Sequence, residues 1–166
     1  MSPMTVHADD AAPVSLTPEL KARCLALLRE GLASDAFWPA MHAAEALSDD
    51  GLGAEVRERL WPRLPQENDA QRRCGLAREI VRSGDRRALP SLFAVLALED
   101  TFGHTHAAES LYKIADVGDG VALRKLFATT PDSRRQLMAA ASLARCGNLR
   151  ALAFIRERTL SDQAES

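Results

Sequence analysis

The stretch that decides the fold is Trp38-Pro39-Ala40-Met41-His42-Ala43-Ala44-Glu45-Ala46-Leu47, which returns as Phe102-Gly103-His104-Thr105-His106-Ala107-Ala108-Glu109-Ser110-Leu111. Two weaker copies are Gly75-Leu76-Ala77-Arg78-Glu79-Ile80 and Met138-Ala139-Ala140-Ala141-Ser142-Leu143. The aligned alanines, at steps of 33, 31 and 32 residues, are Ala44, Ala77, Ala108 and Ala140. A period near 32 residues predicts a repeat protein, in which each unit stacks on its neighbours to bury a shared core.

Outward from these copies, each repeat has the pattern of a helix, a tight turn and a second helix rich in leucine. The turns are predicted where glycine tolerates the left-handed conformation that ends a helix, at Asp49-Asp50-Gly51, Ser83-Gly84-Asp85, Gly118-Asp119-Gly120 and Gly147-Asn148. In the third repeat, residues 115–117 are extra and precede the predicted break. Because no stretch alternates as a β-strand does, we expect an all-α fold.

The predicted organisation is a single domain over residues 15–160, with repeats at about 35–66, 68–98, 100–129 and 132–160. An N-terminal cap helix over residues 17–33 begins at Thr17-Pro18-Glu19, a hydroxyl cap followed by proline in the first turn. Its apolar stripe, which must dock on the first repeat, is Leu20, Cys24, Leu27, Leu28 and Leu32. Residues 1–14 are expected to form a disordered lead and residues 161–166 a short polar tail.

The composition argues against several classes of protein. The 166 residues are 46% hydrophobic and 27% charged, and a net charge of −2 gives no strong attraction to nucleic acid or an anionic membrane. No apolar run approaches the roughly 20 residues that span a bilayer, and residues 1–10 lack the features of a secretory signal. The scattered cysteines, Cys24, Cys74 and Cys146, are expected to be buried hydrophobes in a reducing, cytoplasmic setting.

Ala44-Glu45-Ala46-Leu47, the Gly84-Asp85 turn and the second-helix segment Leu89-Pro90-Ser91-Leu92 together resemble HEAT repeats. The variety most similar in pattern is the short HEAT-like repeat of phycocyanobilin lyase subunits and their bacterial relatives, and the resemblance covers about residues 35–160. It implies a right-handed α-solenoid of about four helical-hairpin repeats. It leaves the activity open, because the same repeats serve lyases, hydroxylases, DNA glycosylases and scaffolds.

The duplicated His-x-x-Glu is the candidate site for chemistry. Residues three apart share a helix face, so His42 with Glu45 forms one pair of potential metal ligands. His106 with Glu109 forms the second pair, and His104 adds a third side chain near it. HEAT-repeat deoxyhypusine hydroxylases, which this pattern resembles, bind iron through adjacent His-Glu pairs before the Ala-Ala-Glu-Ala-Leu run. Here the histidine is displaced by one residue and lacks that adjacent acid.

The spacing of the two copies argues against one shared ion. Two repeats separate His42 from His106, and packed helices lie about 8–10 Å apart, which predicts roughly 16–20 Å between the two side chains. The structural alternative is that each histidine stacks on the aromatic residue one turn earlier, His42 on Trp38 and His106 on Phe102.

The function is therefore predicted to be that of a non-catalytic protein-interaction module or scaffold, whose second helices line a concave face for an acidic or helical segment. No cofactor is expected. The competing class is a metal- or ligand-binding enzyme, hydroxylase-like or bilin-lyase-like, that uses Trp38, His42, Glu45, Phe102, His104, His106 and Glu109. Nucleic acid is not expected, because acids balance the arginines and no aromatic residues lie among them. A homodimer is a further hypothesis, because little of the chain is left to cover Leu152, Phe154 and Ile155.

Overall fold

A computed structural model describes residues 16–164, and the regular structure of these residues is entirely helical. The α-helices are α1 (Pro18–Ala33), α2 (Phe37–Asp49), α3 (Gly53–Leu60), α4 (Ala70–Arg82), α5 (Leu89–Leu96), α6 (Phe102–Ile114), α7 (Val121–Thr129), α8 (Ser133–Arg145) and α9 (Leu149–Ala164), with short 3-10 turns at Leu64–Gln66 and Arg86–Ala88. The prediction of an all-α fold is confirmed over this part of the chain. The predicted lead at residues 1–14 lies outside it, and α9 continues past the predicted repeat end at residue 160. None of the described helices is both long and apolar enough to cross a membrane.

Side-chain caps begin four of the helices, among them α9, where Asn148 Oδ1 accepts a hydrogen bond from the backbone N–H of Ala151 at 3.0 Å. Thr17 Oγ1 accepts a hydrogen bond from the backbone N–H of Leu20 at 3.3 Å, and Pro18 lies in the first turn of α1 as predicted. Asp69 and Asp132 begin α4 and α8 in the same way, each carboxylate accepting the backbone N–H three residues later at 2.8 Å. These caps satisfy N–H groups that have no partner within the helix, so the repeats start at defined residues.

The first helices of all four repeats end in the same turn. In each, a backbone N–H donates to the carbonyl oxygen five residues earlier, and the residue before this donor has a positive φ. The residues with positive φ are Gly51 (86°), Gly84 (101°), Ala115 (51°) and Gly147 (88°). Because all four turns recur in register with the aligned alanines, the repeat period of the sequence is also a period of the backbone.

The third repeat corrects one predicted boundary. The break predicted at Gly118 is wrong, because α6 already ends at Ile114, with Ala115 in the left-handed position. Gly118 and Gly120 also have positive φ, but they lie in the loop that precedes α7. Glycine marked the turn in the other three repeats, and the alanine at this position concealed it here.

The helices pack against their neighbours in the order of the chain. The first helices, α2, α4, α6 and α8, each contact the next in that order, and every second helix packs against a first helix. α1 packs on α2 at the N-terminal end. The four aligned alanines are fully buried, and their small side chains let neighbouring helices approach closely: Ala44, Ala77, Ala108 and Ala140. Between α6 and α8 the Ser142 hydroxyl also donates to the carbonyl oxygen of Ala108 at 2.6 Å.

The predicted stripe of α1 is only partly buried. Leu32 is buried and Leu28 packs against the core, together with Leu25, which the predicted stripe omitted. Leu20 and Leu27, by contrast, are 46% and 60% exposed. The cause is that α1 meets its neighbours on one side, mainly along α2, so the width of the stripe exceeds the contact.

The last helix shows a similar division. Phe154 packs edge-on against Phe127 of α7, with ring centroids 5.1 Å apart, and Ile155 also contacts the core. Leu152 and Leu160, on the same helix, are 46% and 62% exposed. The exposed leucines therefore leave an apolar surface on α9.

The three cysteines differ in environment. Cys74 is buried, as predicted, whereas Cys24 is only partly buried. The prediction is wrong for Cys146, which is exposed because it lies at the C-terminal cap of α8 and not on the packed face of the helix.

Candidate functional site

A shallow pocket of about 300 Å³ joins the two copies of the duplicated motif across α4, the helix between them. We call it the motif pocket. Its walls and floor are formed by Trp38 and His42 of α2, by Gln71, Cys74, Gly75 and Arg78 of α4, and by His106, Glu109, Ser110 and Lys113 of α6. The sequence predicted that the two histidines are too distant to hold one ion. It did not predict that both line one surface depression.

In the middle repeat, Gly75 occupies the position that histidine holds in both flanking repeats. A Cβ added at Gly75 would lie 3.1 Å from Phe37 Cζ, so α4 packs tightly on α2 at this point. Glycine at this position allows that close approach, and Gly75 lines the pocket between Trp38 and His42 on one side and His106 on the other. The copy that matched the motif least therefore forms the middle of the pocket.

The thiol in the pocket is unreactive. Cys74 is 1% exposed, and burial raises its pKa to about 12. Because the thiolate is the nucleophile and the metal ligand, a thiol with this pKa stays protonated at neutral pH. Cys74 therefore contributes packing and shape, and no reactive sulfur.

Charged groups on the α6 side are paired within the pocket. Lys113 Nζ lies 2.8 Å from Glu109 Oε1, one turn apart on the same helix. The hydrogen bond from Lys113 lowers the pKa of Glu109, and the charges of Lys113, Arg78 and His106 add to this effect against the opposing effect of partial burial. Glu109 is thus held as a carboxylate and is partly neutralised before any ligand arrives.

On the α4 side, Arg78 of the pocket is paired with a buried carboxylate, that of Glu79. Glu79 is fully buried; Arg78 Nε lies 2.6 Å from one of its oxygens and Arg82 Nη1 lies 3.4 Å from the other. The same Arg82 nitrogen is 2.6 Å from Glu45 Oε1 on α2. This network connects the first copy of the motif to the middle repeat, and sequence reasoning missed Glu79.

A signal for Glu79 was present in the alignment of the repeats. The equivalent positions hold small residues, Ala46, Ser110 and Ser142, and position 79 alone carries a charge. A charge at a position that packs between helices must be paired to be tolerated, so the arginines at 78 and 82 were its natural partners.

The aromatic residues of the motif behave differently in the two copies. Phe102 and His106 are in contact in the second copy, as predicted, but the contact is edge to face and not stacked, with ring centroids 5.5 Å apart. Trp38 instead packs edge-on against its neighbour Phe37 at 4.8 Å. Trp38 and Phe102 remain 43% and 58% exposed, and both are therefore available to a partner.

His104 does not join the other members of the predicted metal set. It is 7% exposed and lines a separate pocket between α5, α6 and α7, where its Nε2 donates to the carbonyl oxygen of Leu98 at 3.0 Å. Two residues on a helix turn the side chain by about 200°, which directs His104 away from His106 and Glu109. Across residues 16–164, no group of three or more His, Cys, Asp or Glu side chains is arranged to hold a metal ion.

Comparison with known proteins gives no relative: the chain matches no protein-family model, no curated protein and no solved structure. The likeness to HEAT-like repeats therefore rests on the residue pattern, and the functional argument rests on the pocket itself.

Proposed function

We propose that this protein is a non-catalytic interaction module of the HEAT-like type, a right-handed α-solenoid of four helical pairs with α1 as its N-terminal cap. The recurrent turn of the four repeats and the stacking of α2, α4, α6 and α8 support this architecture. The three free cysteines favour a reducing compartment, which fits a cytoplasmic protein of bacterial type. Such arrays present extended surfaces to partner chains.

The observation that carries the proposal is the convergence of both motif copies on one pocket. Residues Trp38 and His42 from α2 face His106 and Glu109 from α6 across Gly75. Exposed aromatic residues beside a concave site are typical anchors for protein partners. We therefore place the partner on the first helices, over the motif pocket, and not on the second helices as predicted from the sequence.

The chemistry of the pocket indicates the kind of segment that binds. The part of the pocket next to the exposed ring of Trp38, lined also by Cys74 and Gly75, suits an apolar side chain of the partner. Arg78 uses Nε for Glu79, which leaves its two terminal nitrogens as donors toward the pocket. An acidic side chain next to the apolar one would bind these donors, with Lys113 as a second cation. The proposed partner is thus a protein segment with neighbouring apolar and acidic residues.

The metal-dependent alternative gains no specific support from this geometry. Glu109 is already paired with Lys113, and His104 faces a different pocket.

This proposal is tested by selecting peptides from a random-sequence display library. The selected peptides are then synthesised and their affinities are measured by calorimetry. We expect Trp38→Ala to weaken the selected peptides about tenfold or more, as for a central aromatic anchor. Tyr112→Ala is the matched control, because Tyr112 is also an exposed aromatic residue (37%, against 43% for Trp38) and does not line the pocket.

Chemical-shift mapping then locates the bound peptide directly. Shifts centred on α2, α4 and α6 would support the motif pocket. Peptides that bind Trp38→Ala and His106→Ala variants as tightly as the native protein would contradict it. Shifts centred on α5 and α7 would instead indicate that the peptide binds the second helices.

A further inference from the structure

The middle of the motif pocket departs from the repeated pattern at two positions. Where the flanking copies read His-x-x-Glu, α4 reads Gly75-x-x-Arg78. Arg78 thus takes the place of a glutamate, and Gly75 takes the place held by His42 on α2 and by His106 on α6. All four residues line the pocket. An arginine therefore lies on the helix between two histidines.

The two cations that line the pocket, Arg78 and Lys113, each lie against an anion of the protein. Lys113 Nζ is 2.8 Å from Glu109 Oε1, and Arg78 Nε is 2.6 Å from Glu79 Oε1. Each of these anions repels a carboxylate that approaches its cation, so it offsets part of the attraction that the cation exerts. The permanent charges of the pocket therefore attract an acidic partner only weakly.

Among the described residues that line the pocket, only the two histidines are of a type that changes its charge between about pH 5 and 8. Burial raises the pKa of Cys74 to about 12, and the hydrogen bond from Lys113 lowers the pKa of Glu109. Arginine and lysine side chains keep their charge in this range. His42 and His106 therefore supply the part of the pocket's charge that depends on pH.

The neighbouring helices add charges that stay constant in the same range. Glu45, one turn after His42, is paired with Arg82 of α4 at 2.6 Å. The charged side chains of α3 are glutamates and arginines, and α5 has none. Those of α1, which packs on α2, are Glu19, Lys21, Arg23, Arg29 and Glu30, and those of α8, which packs on α6, are Arg134, Arg135 and Arg145. Side chains of these types do not titrate between about pH 5 and 8.

We propose that His42 and His106 determine the specificity of the motif pocket, and that their protonation makes it select an acidic segment. This inference rests on the proposed function, in which Arg78 binds an acidic side chain of the partner. Packed helices are about 8–10 Å apart, so a carboxylate at Arg78 lies about one Debye length or less from each imidazole. The duplicated histidines thus add a positive charge on both sides of the arginine.

Protonation of the histidines and binding of the acidic segment favour each other. The affinity is highest at a pH below the range in which imidazole titrates, and the gain is lost as the pH rises through that range. At a separation of about 8–10 Å in water, each positive charge should strengthen binding about twofold, and the two together about fourfold. By reciprocity, the bound segment should move the titration of both histidines to higher pH.

Calorimetry with the selected peptides at about pH 8 and about pH 5.5 tests this proposal. The readout is the ratio of the two dissociation constants, because a loss of contact that is independent of pH cancels in it. We expect a ratio of about four for the native protein, about two for His42→Gln or His106→Gln, and about one for the double variant. His104→Gln is the matched control, because His104 is on the same helix as His106 but lines another pocket, and it should keep the native ratio.

The peptides provide a control of their own. Replacing their acidic residues with the corresponding amides should remove the dependence on pH, because the attraction to the charged imidazoles is lost. Circular dichroism at both pH values confirms that each variant is folded.

Imidazole carbon shifts, followed by NMR through the same pH range, give a second readout. Bound peptide should move the titration of His42 and His106 to higher pH and leave that of His104 unchanged. Peptides that bind the motif pocket equally well at both pH values would overturn this proposal and leave the proposed function intact. A double variant with the native ratio would do the same. If no peptide binds the pocket at either pH, both proposals are wrong.

Discussion

The two copies of the motif, on α2 and α6, share their residues but differ in the contacts they make. Glu45 of the first copy reaches across to Arg82 of α4 at 2.6 Å, whereas Glu109 of the second bonds Lys113 of its own helix at 2.8 Å. The neighbouring helix decides the difference: α4 offers α2 an arginine, while the equivalent residue of α8, Arg145, lies over the ring of Tyr112. Repetition therefore conserves the packed positions of a repeat and leaves its surface contacts to local partners.

The copies also end differently. α2 is followed by Gly51 with φ 86°, and α6 by Ala115 with φ 51°. The same hydrogen bond closes both turns, from Leu52 to Leu47 and from Asp116 to Leu111. An identical turn is thus formed with a residue that favours it in one copy and with one that opposes it in the other.

The largest effect on this comparison should come from the carboxylate that lies beneath the first copy. Glu79→Gln removes the charge that Arg78 and Arg82 share, and these side chains are only 12% and 21% exposed. We expect a loss of about 2–3 kcal/mol in the free energy of unfolding, because breaking one partner of a buried ion pair leaves the others uncompensated. Urea unfolding followed by circular dichroism measures it.

Glu45→Gln is the control for this substitution, because Glu45 pairs with the same Arg82 but is 39% exposed. An exposed pair contributes about 0–1 kcal/mol, so the control should change stability by less than half as much. Equal losses in the two variants would show that burial of Glu79 is not what makes its ion pairs important.

An intermediate effect, of opposite sign, is expected at the end of the second copy. Ala115→Gly should raise the free energy of unfolding by about 0.5–1 kcal/mol, since a left-handed alanine costs about 1–2 kcal/mol and the added freedom of glycine in the unfolded chain offsets part of it. Ala97→Gly is the control, because Ala97 also caps a helix but has φ −90°. It should be destabilising. If thermal unfolding shows that Ala115→Gly is less stable than the native protein, the left-handed conformation of Ala115 is not strained.

The sequence predicted the parts of the structure that follow from the repeat period and from local helix signals. It was less successful with the parts that depend on contacts between helices. The aligned alanines, the start of α1 at Thr17 and the turns at Gly84 and Gly147 follow from local rules, and they are confirmed. The end of α6 was missed because Ala115 carries no turn signal. Local propensity cannot report a conformation that tertiary packing imposes.

The sequence predicted which residues belong to the candidate site, but it did not predict the pocket that they form. The sequence singled out His42 and His106, and their separation ruled out one shared ion. The pocket that joins them is formed across α4, in the repeat that matched least. The burial of Glu79 and the rotation of His104 into another pocket depend on helix packing, which a single sequence constrains only weakly.

The smallest effect concerns the ion pair within the second copy. Lys113 lowers the pKa of Glu109 through a hydrogen bond, so Lys113→Met should raise that pKa toward its ordinary value. A carboxylate whose pKa is lower in the folded state stabilises the protein above its unfolded pKa of about 4.3, and this contribution disappears as the pH falls through the folded value. The loss on Lys113→Met should be about 0.3–0.5 kcal/mol at pH 7 and vanish in acid.

Carboxyl carbon shifts of Glu109 across the acidic range measure this directly. Lys125→Met on α7 removes a lysine outside the motif pocket and should leave the titration of Glu109 unchanged. An unchanged pKa of Glu109 in Lys113→Met would mean that Arg78 and His106 set its ionisation. The second copy would then depend on its neighbouring helix as the first copy does, and the contrast between them would be lost.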